Sequence, residues 1–286
     1  MKVTEVEPRT STGSLDDDSP GCYLDRPGEV LKQKRLEHLN EEERKQIEKT
    51  HLDYQDIFHL PSEVLSNTTT VKHEILLQQG TEPVNARPYP LPEYQKREVR
   101  RQVELKKGGI ITESNSPWNS MLLLAPPPQK KVHTTGEKHW RLVIDYRKLK
   151  EKAVADAYPL PDVTEVLDQL DQSKYFSCID MVMEYNQIEM SEKDTAKTFC
   201  STKEGHWEYK RLPFELQTAP VTFQRLMNVV LTGLKGSRCF LFLDDIVVYA
   251  KSLAEHAAKI RQVFYRIRER NLKRKPEKCE FLQKEV

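Results

Sequence analysis

Apolar residues in this chain come in short runs whose spacing switches irregularly between strand-like and helix-like periods. Cys239–Ala250 holds two strand-length runs, Cys-Phe-Leu-Phe-Leu and Ile-Val-Val-Tyr-Ala, separated by Asp244 and Asp245. Runs rich in β-branched and aromatic residues around a polar pair predict the two strands of a hairpin. Tyr175–Met181 is a similar run with Asp180 near its end. Extended segments are predicted at Val71–Leu77, Ile110–Ser114, Ser120–Leu124 and Trp140–Tyr146. Phe199–Thr202 and Trp207–Leu212 predict a hairpin across Lys203-Glu204-Gly205-His206. Asn40 before Glu41-Glu42-Glu43 caps a helix running to about Tyr54. Glu93–Lys107 reads as a charged helix stopped by Gly108-Gly109. Pro159-Leu160-Pro161-Asp162 opens a helix with Val163, Val166, Leu167 and Leu170 on one face. Pro220 opens another with Phe223, Leu226, Met227, Val230 and Leu231 inside, and Ser252-x-x-Glu255 is a capping box for a basic helix through Arg270. The prolines of Arg87–Pro92 force extended backbone. Residues 1–35, polar and rich in Ser and Asp, read as a disordered linker. This mixture predicts an α+β fold with helices packed on one face of an antiparallel sheet.

The acids in the strand-like runs carry the candidate chemistry. A carboxylate at the end of a buried strand is costly unless it is paired, hydrogen-bonded or bound to a metal. The plain alternative for Asp244 and Asp245 is a solvated turn, since Asp is a common turn residue. Asp180 in a second strand of the same kind shifts the balance, because two such strands side by side would present a site for hard cations. Mg²⁺ prefers a few carboxylates completed by water and substrate phosphates. Two such ions can activate a hydroxyl and stabilise the leaving oxygen of a phosphoryl transfer. Asp180, Asp244 and Asp245 are therefore the candidate catalytic centre.

Composition narrows the setting. At 31% charged and 37% hydrophobic residues the chain fits a globular protein, and 286 residues suffice for a sizeable core and two subdomains. No apolar run approaches the roughly 20 residues needed to span a bilayer, and the start is acidic rather than apolar, so neither a membrane partner nor a signal peptide is expected. The five cysteines are scattered without a Cys-x-x-Cys pair, which predicts no zinc site, no disulfide framework and a reducing, cytoplasmic setting. The net charge of +1 hides a gradient: residues 1–70 carry 9 basic and 15 acidic side chains, and residues 251–286 carry 11 and 5. A basic end beside a metal site would suit phosphate backbones, although a solvated helix face is the usual fate of such a run.

From about Leu39 onward the sequence resembles a gypsy-type LTR-retrotransposon reverse transcriptase. The resemblance is carried by Ile144-Asp145-Tyr146-Arg147-Lys148-Leu149, Tyr158-Pro159-Leu160-Pro161, Phe176-Ser177-x-x-Asp180, and Leu212-Pro213-Phe214. Thr218-Ala219-Pro220, Thr222-Phe223-Gln224, Phe242-Leu243-Asp244-Asp245 and Lys275-Pro276-Glu277-Lys278-Cys279 continue it in order. It implies the fingers and palm of a right-hand polymerase: an acidic linker and helix over 1–60, fingers over 61–155, and palm with part of the fingers over 156–286. It implies two Mg²⁺, with Mn²⁺ as a substitute, held by Asp180, Asp244 and Asp245 with the Met181 carbonyl. It implies that Arg141, Lys130 and Lys131 contact the incoming triphosphate, that Tyr185 excludes the ribose 2′-hydroxyl, and that Phe214 and Gln224 lie beside nucleotide and template. The implied partners are an RNA or DNA template–primer, deoxynucleoside triphosphates and further domains of a polyprotein, in the cytoplasm or associated with a particle.

Two departures from the family pattern bear on activity. The usual Ser-Gly-Tyr-His-Gln is Met183-Glu184-Tyr185-Asn186-Gln187, and the usual Phe-Gly-Leu is Phe214-Glu215-Leu216. Both glutamates are expected at the border of the nucleotide pocket, Glu215 where a glycine would allow a positive φ or a close approach. The sequence as given also stops before a primer-gripping hairpin, thumb and RNase H domain, which predicts impaired positioning of substrate. Three readings follow: a polymerase domain of weakened activity, a non-catalytic remnant or co-opted nucleic-acid-binding protein of the same fold, and a metal-dependent nuclease or phosphatase with an Asp triad.

Overall fold

A computed structural model describes residues 26–32, 36–61, 63–87, 90–126, 140–158, 170, 173–203, 205–242 and 245–284. Its centre is a four-stranded antiparallel sheet built from the acid-bearing runs. Strands β5 (Tyr175–Asp180), β9 (Cys239–Phe242), β10 (Asp245–Ala250) and β11 (Glu280–Gln283) lie in the order β11-β5-β10-β9. Alternation sorts their side chains by face. Ser177, Ile179, Ile246 and Val248 are fully buried on one side, where α6 (Leu253–Glu269) packs along β10. Phe176, Cys178 and Asp180 point to the other side with their cross-strand neighbours Tyr249, Val247 and Asp245. There Phe176, Phe240 and Tyr249 form a small apolar cluster with Leu170.

The helices expected at Pro220 and Ser252 start and face as the sequence predicts. α5 (Ala219–Val230) has its proline in the first turn, and Phe223, Leu226, Met227 and Val230 are buried. Each large apolar side chain so buried contributes about 1.5–3 kcal/mol. α6 begins at Ser252, whose side chain accepts from the Glu255 amide. The other half of that box shifts by one residue, because the Glu255 carboxylate accepts from Lys251 N instead. α2 (Glu41–Asp53) carries a complete capping box: Asn40 Oδ1 accepts from Glu43 N at 2.9 Å and Glu43 Oε2 from Asn40 N at 3.0 Å.

The remaining strands form smaller ribbons. β3 (Met121–Ala125) pairs with β4 (Arg141–Asp145), and β8 (Gly205–Tyr209) lies between β2 (Ile111–Glu113) and β7 (Cys200–Thr202), all antiparallel. The β7–β8 hairpin is tighter than predicted, since Thr202 already pairs with Gly205. α3 (Glu93–Lys106) ends where the chain reverses at Gly109, whose φ of +105° suits glycine. One pair departs from the antiparallel expectation: β1 (Thr68–His73) runs parallel to β6 (Ile188–Met190). Parallel pairing needs a long crossover, and the 114 residues between Thr68–His73 and Ile188 supply one.

The polar start is not wholly linker. Arg26–Lys32 forms α1, Val30 is buried, and Arg26 donates to the Phe58 carbonyl at 2.8 Å and pairs with Glu63. A buried valine and a bifurcated arginine supply the contacts that composition alone does not reveal. The short helix α4 (Arg147–Lys152) was also not predicted; six residues are too few for a periodic signal. The predicted helix face of Val163, Val166 and Leu167 lies outside the described residues. No helix among the described residues is long and apolar enough to cross a membrane, and Cys178, Cys200, Cys239 and Cys279 are free thiols.

Candidate active site

The β5–β10 register sets Asp245 directly opposite Asp180, and opposed residues on an antiparallel pair hold their Cβ atoms about 4.5–5.5 Å apart. β9 ends at Phe242, which pairs with Asp245 at the start of β10. Asp244 itself lies outside the described residues, as do Lys130 and Lys131. The Asp180 carboxylate is divided in its surroundings. Oδ2 accepts from Lys278 Nζ at 2.9 Å, while Oδ1 is buried without a hydrogen-bond partner. An orphaned buried carboxylate oxygen is expensive, and a divalent cation would satisfy it. Asp245 meets the Cys178 thiol, which burial first and Asp245 second push up to about 12. Lys278 is raised above its ordinary value by its hydrogen bond to Asp180, with Glu184 and Asp245 adding negative charge around it. Asp180, Asp245, Glu184 and Lys278 thus share one electrostatic environment. Among the described residues alone no three of His, Cys, Asp and Glu close on a metal-sized site; the sequence expectation includes Asp244 in that set.

Immediately after Asp180 the backbone is held from behind. Met181 is buried and bridges Arg274, and the Asp180 carbonyl accepts from Lys275 N at 3.2 Å. The chain then turns through Met183, left-handed at φ 41° and ψ 53°, into the 3-10 turn Glu184–Gln187. A left-handed non-glycine residue is uncommon and stores strain. The strain falls at Met183, not at either glutamate, and Glu215 has no positive φ.

The expected nucleotide-side residues divide into those brought together and those not. Tyr185 is buried, with its ring 5.3 Å from Phe214 and 5.9 Å from Phe223. Phe214 is 62% exposed, so a large flat apolar ring stands open to a ligand beside Tyr185. Gln224 is buried on α5, and its Nε2 has no hydrogen-bond partner. Arg141 is exposed at the start of β4 on the separate β3–β4 ribbon. Glu215 is placed differently from expectation. Its carboxylate turns inward, accepts from the backbone N–H groups of Glu215 and Ile144, and is raised chiefly by burial with Lys106 nearby. It lines a cavity of about 470 Å³ with Ile144, Asp145, Arg147 and Lys150.

Sequence reasoning did not single out several residues that organise these groups. Lys278 belongs to the motif Lys275–Cys279, where nothing in the sequence marks it as a partner of Asp180. Gln102, on the α3 face, donates to the Trp140 carbonyl at 2.7 Å and accepts from Leu142 N at 3.0 Å. It therefore grips the backbone on both sides of Arg141. A polar residue within a charged helix gives no such signal, because the partner is 38 residues away.

The same residues are matched from outside. The family described as reverse transcriptase (RNA-dependent DNA polymerase) matches residues 128–286. The Retrovirus-related Pol polyprotein from transposon 297 of Drosophila melanogaster is 42% identical over 253 residues, 88% of this chain and 24% of its own length. The corresponding polyprotein from transposon gypsy of the same organism is 32% identical over 247 residues, 85% of this chain and 23% of its own. The chain thus spans about a quarter of these relatives. Among solved structures, the foamy viral protease-reverse transcriptase in complex with an RNA/DNA hybrid superposes with a TM-score of 0.77 at 20% identity, over 99% of this chain and 36% of that one. The same enzyme with double-stranded DNA gives 0.76 at 21%, over 92% and 52%. At that identity the likeness is one of fold.

Proposed function

The chain belongs to the reverse transcriptase family of gypsy-type LTR-retrotransposon Pol polyproteins, and we propose that it is the fingers-and-palm part of an RNA-directed DNA polymerase. The observation that carries this reading is the Asp180–Asp245 register with one Asp180 oxygen buried and unpartnered. Asp180, Asp244, Asp245 and the Met181 carbonyl would hold the divalent ions, which when bound lower the barrier by neutralising phosphate charge and activating the primer hydroxyl. The chain's own groups do the rest. Tyr185 and Phe214 supply an aromatic wall for sugar and base, Gln224 offers an unfilled donor, and Arg141 is a cation for the triphosphate. A primer 3′-hydroxyl attacks the α-phosphate, the new P–O bond forms as the bond to the β-phosphate bridge breaks, and pyrophosphate leaves. Template–primer and deoxynucleotides are the substrates; the foamy viral enzyme of like fold is described with an RNA/DNA hybrid and with duplex DNA. We read residues 61–155 as fingers and 156–286 as palm.

The test is primer extension on an RNA template with Mg²⁺, comparing the wild type with Asp244→Asn. Template-directed extension lost in the variant supports the reading. Template binding with no extension under any metal returns the chain to a non-catalytic remnant, and shortened products without added nucleotide indicate a nuclease.

A further inference from the structure

Behind the acids lies a fully buried amide for which the proposed chemistry has no use. Gln187, last residue of the 3-10 turn, is 0% exposed. Its Nε2 donates to the Val182 carbonyl at 2.6 Å and to the Lys273 carbonyl at 2.8 Å. Its Oε1 accepts from Lys273 N at 2.6 Å. A glutamine amide has two donor hydrogens and one acceptor oxygen, so every polar atom of this side chain is spent on backbone.

The two backbones it joins are those on either side of the expected metal ligands. Val182 follows Asp180 and Met181. Lys273 opens a strap, residues 273–275, that runs behind them: Val182 N donates to Lys273 O at 3.3 Å, and Lys275 N to Asp180 O at 3.2 Å. On its far side the strap is fixed to the N-terminal part of the chain. Arg274 N donates to Ile57 O at 2.9 Å, and His59 N to the Arg274 carbonyl at 3.0 Å. Beyond the strap, Lys278 reaches the Asp180 carboxylate. The loop thus held is the strained one, since Met183 is left-handed one residue past Val182. Strained segments persist only where surrounding structure over-determines them.

We propose that Gln187 is a positioning residue: it clips the loop Met181–Val182 to the strap 273–275 and so fixes the Asp180 carboxylate and the Met181 carbonyl for a divalent cation. This rests on the polymerase reading of those ligands. The side chain must have this length and both donors. Asn falls short by a methylene, Met has no hydrogen bonds, and Glu keeps the acceptor but loses the two donations. Each leaves a buried carbonyl unsatisfied.

Three measurements on Gln187→Met and the isosteric Gln187→Glu test it: amide hydrogen exchange without metal, Mn²⁺ binding by electron paramagnetic resonance, and the half-saturating Mg²⁺ concentration in primer extension. The expected result is faster exchange at Val182 and Lys275 with unchanged rates along α5, and metal affinity lowered roughly 10–100-fold, the usual effect of losing an outer-shell partner. A lowered melting temperature with wild-type Mn²⁺ affinity would make Gln187 a packing residue only and overturn the proposal. Should both variants fail to fold, Mn²⁺ added to the wild type must slow exchange at Val182 and Lys275 more than along α5; equal effects overturn it. A wild type that binds no Mn²⁺ and extends no primer removes the polymerase reading, and this role with it. A wild type that does both, beside variants that match its Mn²⁺ affinity, removes only the role of Gln187.

Discussion

Arg274 is the residue whose surroundings fit its chemistry least. It is fully buried, its guanidinium carbon lies 3.8 Å from the ring centre of Phe264 and 4.4 Å from that of Phe58, and its guanidinium nitrogens reach no oxygen or nitrogen acceptor. Burial lowers its pKa to about 10, with Cys279 opposing the shift. Cation–π contact is worth about 2 kcal/mol when desolvated, whereas the effective cost of burying an ion is several kcal/mol; desolvation wins. Arg274→Met, which keeps the stem over the rings, should therefore raise stability by roughly 1–4 kcal/mol in urea melts, and a destabilised variant would show the ring contacts to be worth more. The two glutamates that depart from the family pattern now separate. Glu184 shares the environment of Asp180 and Asp245, so Glu184→Gly should tighten deoxynucleotide binding by about tenfold, the scale of one charge roughly 12 Å away at an effective dielectric near 20. Glu215 faces inward, so Glu215→Gly should leave the nucleotide KM unchanged and cost about 1–3 kcal/mol of stability through lost backbone hydrogen bonds. Nucleotide titration and thermal melts of both variants decide this. Sequence spacing put both beside the pocket because it reports neighbours along the chain, not the direction a side chain takes.

Between elements, two buried histidines act as neutral pins. His73 on β1 lies 2.8 Å from Thr222 Oγ1 of α5, and His256 on α6 lies 3.0 Å from Ser177 Oγ of β5. Burial lowers both from 6.5 to about 4. Because the folded value lies below the unfolded one, their stabilising effect is complete above pH 6.5 and is lost as the pH falls toward 4. The melting temperature should therefore drop between pH 7 and pH 5, and His73→Gln with His256→Gln should flatten that drop; an unchanged slope would contradict it. The basic helix α6 and the strap that follows it also find their partners inside the molecule. Arg261 pairs with Asp53 at 2.8 Å, Arg268 pairs with Asp56 and covers the Tyr54 ring, and Lys273 donates to the Asp56 carbonyl at 2.5 Å. Such half-exposed pairs are worth little in stability, but they occupy the charges. Arg268→Ala should leave the salt slope of template–primer binding unchanged, and a slope flatter by about 0.9 would return it to a phosphate contact. Strands and amphipathic helices were legible because burial on one face imposes a period. The parallel β1–β6 pair and the α2–α6 docking were not, since nothing local records which distant element supplies the partner.

For the whole molecule, Asp53 and Asp56 of the acidic N-terminal part meet Arg261 and Arg268 of the basic C-terminal part in one internal interface. That interface also carries Ile57 and His59 to the strap behind Asp180, so the N-terminal segment supports the proposed centre from the rear. The acids proposed for the site stood out because charge in an apolar strand demands an explanation. Its supports, Gln187 and Gln102, were not, because a buried amide that bonds only to backbone resembles any polar residue until the fold is known. In the proposed polymerase, Asp180, Asp244 and Asp245 together transfer nucleotides on a template. Single-turnover incorporation with each of the four deoxynucleotides and Mg²⁺, counting pyrophosphate against nucleotide added, tests it most directly. Only the complement of the template base should be added, with one pyrophosphate released per addition, and Asp180→Asn and Asp244→Asn should both abolish the reaction while leaving the fold intact. Incorporation that survives Asp180→Asn, or that ignores the template base, would contradict it.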